Sequence, residues 1–145
     1  ANPLYGQNKA DSEIASKSGS VKHLVADATL TAADSGKLIS FTPPSSAGAL
    51  DVTLPAHKDG LEFVIIQIAA YDTAVCNVAS ADENDWVGNI DAQTGAGDNS
   101  ATTDDKVVFG SGTVAGDYIK IVSSNGKWCV IGSCSKVTTN GISFG

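Results

Sequence analysis

Two histidines, three cysteines and a crowd of carboxylates are the residues of this chain that could do chemistry. His23 and His57 are its only imidazoles. A nucleophilic relay would have to pass through one of them, because the nucleophile needs a neighbouring base and the base an orienting acid. Neither lies near a Gly-x-Ser-x-Gly elbow. Glycoside hydrolysis calls for two carboxylates in contrasting environments; Glu62 heads an apolar run and Glu83 sits in an acidic stretch, and no spacing pairs them. Asp82, Asn84 and Asp85 have the start of a calcium loop without the glycine or the distal glutamate of an EF-hand. Gly95-Ala96-Gly97 leads into no helix and makes no phosphate loop. Cys76, Cys129 and Cys134 cannot all pair within one chain, and no Cys-x-x-Cys spacing suggests zinc. Cys129 and Cys134 are close enough to bridge a tight bend, but buried free thiols are the expected state. The sequence therefore predicts no enzyme, no metal site and no cofactor.

Charge narrows the partners. The formal net charge is −7, with nine lysines and no arginine. Phosphate recognition leans on arginine forks and basic stripes, so no nucleic-acid partner is expected. The acids gather between residues 81 and 117, where Asp82, Glu83, Asp85, Asp91, Asp98, Asp104, Asp105 and Asp117 meet only Lys106; this reads as a solvated, repulsive loop face. The longest apolar run, Phe63-Val64-Ile65-Ile66, is far short of a membrane span, and no basic segment with an apolar stretch opens the chain. No membrane partner and no secretory leader are expected.

The elements that must position these groups are short strands. Residues 116–132 carry the clearest signal: two apolar runs flank Asn125-Gly126, whose residues both accept the positive φ of a type I′ turn. Counting outward, Ser123 faces Trp128, Ile121 faces Val130 and Ile119 faces Gly132. Ile119, Ile121, Trp128 and Val130 then share a core face. The other side holds Tyr118, Lys120, Val122, Lys127, Cys129 and Ile131, half of them apolar, and needs a cover from a second layer or another subunit. Residues 61–69 are apolar on both faces and read as a central, fully buried strand. Residues 21–27, 37–42 and 50–54 alternate, with Pro43-Pro44 and Pro55 as breaks. Residues 75–79, 86–90 and 106–109 are further short strands, 137–144 a weak last one, and 91–105 a long loop.

No stretch has a helical period, so the expected fold is all-β. It is a compact antiparallel β-sandwich or barrel, jelly-roll- or tulip-like, with an extended N-terminal arm. The arm is residues 1–20, with Leu4, Tyr5 and Ile14 as its only apolar anchors, and the single β domain is 21–145. A frayed terminus is the plain reading of the arm; a segment that orders on another surface through Pro3-Leu4-Tyr5 is the functional one.

Three segments, Leu30-Thr31-Ala32-Ala33-Asp34-Ser35-Gly36-Lys37, Val52-Thr53-Leu54-Pro55-Ala56 with Gly60, and Gly116-Asp117-Tyr118 through Asn125-Gly126-Lys127-Trp128, occur in an order that resembles small structural proteins of tailed bacteriophages. The family is that of capsid decoration (cement) proteins, together with some tail-fibre modules, and Asn2-Pro3-Leu4-Tyr5-Gly6 is similar to the opening of such virion proteins. The resemblance implies a non-enzymatic β module on the outer surface of the virion capsid, assembled in the host cytoplasm. It implies attachment to the major capsid protein through Asn2, Pro3, Leu4, Tyr5 and Gly6. It also implies a homotrimer, for which the half-apolar hairpin side supplies Tyr118, Val122, Cys129 and Ile131 as interface. The competing expectation is a receptor- or glycan-binding module of a tail fibre, with Trp86 and the 91–105 loop as its recognition surface.

Overall fold

The computed structural model describes residues 20–45, 48–70, 74–81, 85–93, 98–99, 104–134 and 140–145, with the side chains of 98, 99 and 134 left aside. The expected arm, including Asn2 to Gly6, lies outside the described residues apart from Ser20.

The chain is mostly β, with no helix beyond a single 3-10 turn at Ala32–Asp34 among the described residues. Among the described residues twelve strands form two sheets. The larger has the order β1 (Val21–Leu24), β3 (Leu38–Phe41), β5 (Glu62–Gln67), β10 (Tyr118–Ser124), β11 (Lys127–Cys134), β7 (Trp86–Ala92), β8 (Asp98–Asn99). The smaller runs β12 (Ile142–Phe144), β9 (Lys106–Phe109), β6 (Val75–Ala79), β4 (Ala49–Thr53), β2 (Ala28–Thr29). No helix of the described residues is long and apolar enough to cross a membrane.

The expected antiparallel arrangement gives way to a mixed one. From β1 to β6 successive strands alternate between the two sheets. Neighbours within a sheet are thus two apart in sequence and point the same way: β1 with β3, β3 with β5, β2 with β4 and β4 with β6 are all parallel. Antiparallel pairing belongs to the later part, in β10 with β5 and β11, β9 with β6 and β12, and β7 with β8. Hairpin signals mark only antiparallel neighbours, so an alternation between sheets leaves no local signature.

The hairpin has the predicted register. Ser123 opposes Trp128, Ile121 opposes Val130 and Ile119 opposes Gly132, with Asn125 at φ 49° and Gly126 at φ 72°. Ile119, Ile121, Trp128 and Val130 are buried. Their face meets the inner face of the smaller sheet in one contiguous core, to which Leu50, Val52, Cys76, Val78, Val107 and Phe109 contribute. Phe41 of the larger sheet and Phe109 of the smaller meet edge to face, centroids 5.0 Å apart. That geometry sets the positive ring edge against the negative face.

β5 is not the fully buried central strand its composition suggests. Phe63 and Ile65 are buried, but Val64 and Ile66 are half-buried and Ile68 is exposed, and β10 holds the middle of the sheet. Cysteines meet the expectation of buried free thiols at Cys76 and depart from it at Cys129. Cys76 is buried and free, and burial, then the nearby charges of Asp51 and Asp27, push its thiol far above the ordinary range. Cys129 is free and exposed. It shares strand β11 with Cys134, five residues on, and on one extended strand that separation, roughly 16 Å, is far beyond disulfide reach.

One ionic cluster ties the edge of the larger sheet to the turn before β3. Asp34 Oδ2 accepts from Lys22 Nζ (3.1 Å) and from the Thr31 backbone N–H (3.0 Å), and Oδ1 accepts from Lys37 Nζ (3.1 Å). Burial alone would raise the Asp34 carboxyl; the Thr31 N–H, Lys37 and Lys22 outweigh it and bring it from 3.8 down to about 2. The folded state thus binds this proton less tightly than the unfolded chain. Its contribution is complete above the unfolded value and is lost as pH falls from about 4 towards 2. The contribution is about 2 kcal/mol at most, since both lysines are partly exposed. Asp34→Asn is expected to lower neutral-pH stability and to flatten this acid limb. Urea midpoints for both proteins at pH 7, 4 and 2 check it, and a constant wild-type-to-variant gap across that range would contradict the assignment.

Candidate functional site

Two places on the molecule gather the residues that could carry function. The first brings together His57, Asp85 and Ser123, which no spacing in the chain would pair. His57 leaves the loop between β4 and β5, Asp85 immediately precedes β7, and Ser123 is on β10 facing the core. His57 Nε2 is 2.8 Å from Asp85 Oδ2 and its Nδ1 is 3.1 Å from Ser123 Oγ; Ser80 Oγ donates to the same Asp85 oxygen at 2.7 Å. A carboxylate can only accept, so Nε2 carries the proton toward Asp85, and in the neutral ring Nδ1 accepts from the serine hydroxyl. The imidazole also lies against the Trp128 ring, centroids 4.9 Å apart.

The residue types and order are those of an acyl-transfer relay, but the surroundings are not. Ser123 is 1% exposed. Its backbone N–H is bound to Leu61 O and its carbonyl accepts from Gly60 N. The Trp128 N–H beside Asp85 is likewise given to the Asp85 carbonyl. An attacking hydroxyl needs room for a carbonyl carbon and free donors for the oxyanion. Here the hydroxyl is sealed and those donors are committed. The cluster is a polar plug set against Trp128 that joins the loops of His57 and Asp85 to the hairpin.

This plug corrects the picture of the acidic stretch as a solvated loop face. Asp85 is buried in it, and Asp117 is buried too, its Oδ2 accepting from Val114 N at 3.0 Å. Asp91 and Asp105 are exposed, whereas Asp82 and Glu83 lie outside the described residues. His23 is on the exposed side of β1, bridged to Ser40 Oγ (2.8 Å) and Thr42 Oγ1 (3.2 Å). Among the described residues no group of three metal-ligating side chains comes together.

The second place is the outer face of the larger sheet. The ladders align Leu38, Val64, Lys120, Ile131 and Asn89 in one row across β3, β5, β10, β11 and β7. Val21 of β1 joins that row through Leu38. Adjacent rows align Glu62, Val122, Cys129 and Val87, and then Ile66, Tyr118, Ser133 and Asp91. All four interface residues predicted from the hairpin therefore fall on one surface. Ile131 is 69% exposed and Tyr118 38%, Cys129 is exposed and Val122 half-buried. Leu38 and Val87 belong to the same surface and escaped the sequence reading; their alternation within β3 and β7 was a signal for them, but not the pairing that brings them here.

The opposite outer face differs in kind. On β4, Ala49, Asp51 and Thr53 point out, and Asn77 Nδ2 donates to Asp51 Oδ1 at 2.8 Å. Small and polar side chains suit water. Several bulky aliphatic side chains gathered on one face, even with polar ones among them, are what a protein surface presents where something else is to be bound. Trp86, expected as a recognition residue, is 3% exposed and packs in the core. Comparison of the chain with family models, with curated proteins and with solved structures finds no match.

Proposed function

We propose that this protein is a non-enzymatic structural component of a phage particle, a β-sandwich module that decorates and stabilises the outer surface of the capsid. The observation that carries the reading is the outer face of the larger sheet, where the exposed or half-buried Val21, Leu38, Val64, Ile66, Val87, Val122 and Ile131 share one surface with a few polar side chains, on a chain of net charge −7. Such a surface suits lasting attachment between subunits better than turnover of a small molecule. In this reading Tyr118, Val122, Cys129 and Ile131 meet the same face of two further copies in a homotrimer. Asn2, Pro3, Leu4, Tyr5 and Gly6 attach each copy to the major capsid protein. Three arms on one body multiply individually weak contacts. The glycan-binding alternative loses its aromatic platform with the burial of Trp86.

Deleting residues 1–19 is expected to leave the β body folded while binding to the parent particle falls by about two orders of magnitude or more, as lost avidity implies. Co-sedimentation with particles stripped of the protein measures this, and undiminished binding by the truncated chain would refute arm-mediated attachment. Light scattering of the intact protein is expected to give three times the monomer mass. A monomeric mass across micromolar concentrations would sink the preformed trimer.

A further inference from the structure

Tyr118, Val122, Cys129 and Ile131 surround a charge. Lys120 lies between Tyr118 and Val122 on β10, directly opposite Ile131 and diagonal to Cys129, and on its other side it faces Val64 of β5. Resting on the trimer reading, we infer that Lys120 of each copy forms an ion pair with Glu62 of the next, three such pairs closing the ring.

Desolvation supplies the need for a partner. In one chain by itself Lys120 is exposed and solvated, and none of the ion pairs among the described residues includes it. A second copy pressed onto the four residues around it takes its ammonium out of water. An enclosed charge is strongly unfavourable unless an opposite charge meets it. Its own chain supplies none, so the covering copy must. Among the described residues the face carries two exposed carboxylates, Glu62 and Asp91. Glu62 is the ladder partner of Val122 and shares a row with Cys129 and Val87. A copy that covers Val122 therefore covers Glu62 too, and leaves it in the same need. Asp91 is two strand spacings from Tyr118, roughly 10 Å, near the end of β7, where it stays at the rim. Lys127 opens β11 beside the turn and belongs to the opposite margin.

Charge and symmetry agree. Lys120 and Glu62 are diagonal neighbours on adjacent strands, roughly 8 Å apart, and do not pair within the chain. A ring contact is heterologous, so one patch of each copy meets a different patch of the next. With the ammonium on β10 and the carboxylate on β5, each copy presents one charge to either neighbour. Three identical pairs then leave none of these enclosed charges over. The occupant that the face fits is thus a second copy of this chain, whose own face holds the complement of each charge.

Charge exchange in the intact protein tests the pair, with assembly followed by fluorescence-detected sedimentation velocity from nanomolar to micromolar concentrations. Both side chains are exposed, so the substitutions are expected to leave the circular dichroism of the monomer unchanged. Lys120→Glu and Glu62→Lys are each expected to raise the concentration of half-assembly at least ~30-fold, as removing one partner of an enclosed charge pair does. The chain carrying both substitutions is expected to return to within ~5-fold of the wild type. Mixing the two single variants is the decisive arm. The mixture is expected to assemble at least ~5-fold more tightly than either variant alone, because two of the three contacts in a mixed ring regain opposite charges. A pair formed inside one chain gives no rescue on mixing, so a mixture no better than its components overturns the inference. A wild type that assembles, with single variants that assemble equally well, overturns it too and leaves the trimer standing. A wild type that stays monomeric throughout overturns both.

Discussion

Gly88→Ala is expected to cost about 4 kcal/mol or more and to leave little folded protein at 37 °C, against a total stability of roughly 5–15 kcal/mol for a domain of this kind. Gly88 is on β7, where the parallel ladder to β11 sets it opposite Val130. An added Cβ would sit 2.1 Å from the Val130 carbonyl oxygen and 2.9 Å from its carbonyl carbon and amide nitrogen. These are backbone atoms within a ladder and cannot swing aside. The residue also holds φ +148°, a backbone conformation that L side chains rarely adopt. The methyl group therefore separates two strands that together cover Trp86, Ile90, Trp128 and Val130. Gly126→Ala is the control: φ is +72° but nothing lies within 4 Å of the new Cβ, so about 1 kcal/mol is expected. Gly126→Val should cost more, because a branched Cβ resists positive φ. Guanidinium unfolding of the three variants gives the order, and a Gly88→Ala midpoint close to that of Gly126→Ala would mean that β7 and β11 are not in this register.

What was legible in the chain is what local chemistry writes there. Asn125-Gly126 between apolar runs specified a turn, a register and a core face, and the two glycine-compatible φ values and the buried Ile119, Ile121, Trp128 and Val130 follow from it. The half-apolar outer side was legible for the same reason, since parity is fixed once the turn is. Illegible were relations that need distant strands. His57 meets Asp85 across 28 positions and Ser123 across 66. No spacing rule spans those distances when strands alternate between sheets. The double-sided apolar run of β5 misled, because Val64 and Ile66 belong to the outer rows that β3 and β10 extend, not to a second buried layer. Gly88 was passed over because a lone glycine in a strand has several meanings, and only the ladder shows that a backbone carbonyl fills the place of its Cβ.

Trp128→Ala is expected to lower stability by about 3–5 kcal/mol, the range for emptying a large aromatic site. The side chain is wholly buried, against Phe63 at 6.1 Å between centroids and His57 at 4.9 Å. Its removal opens the core next to the polar plug, so the loss is not only of apolar burial. The imidazole that links Asp85 to Ser123 loses the surface that fixes its plane, and a buried polar network held in poor geometry destabilises more than its absence would. The indole N–H, by contrast, contributes little, since Trp128 Nε1 has no hydrogen-bond partner among the described residues. Trp128→Phe, which keeps most of the bulk and discards an unpaired donor, should therefore cost less than half as much as Trp128→Ala. A double-mutant cycle isolates the coupling: His57→Ala and Trp128→Ala together should cost less than the sum of the two by about 0.5–1 kcal/mol or more, because the second substitution no longer breaks the ring contact. Strictly additive losses would mean that His57 is held by Asp85 and Ser123 alone, and that the tryptophan fills space beside the plug without supporting it.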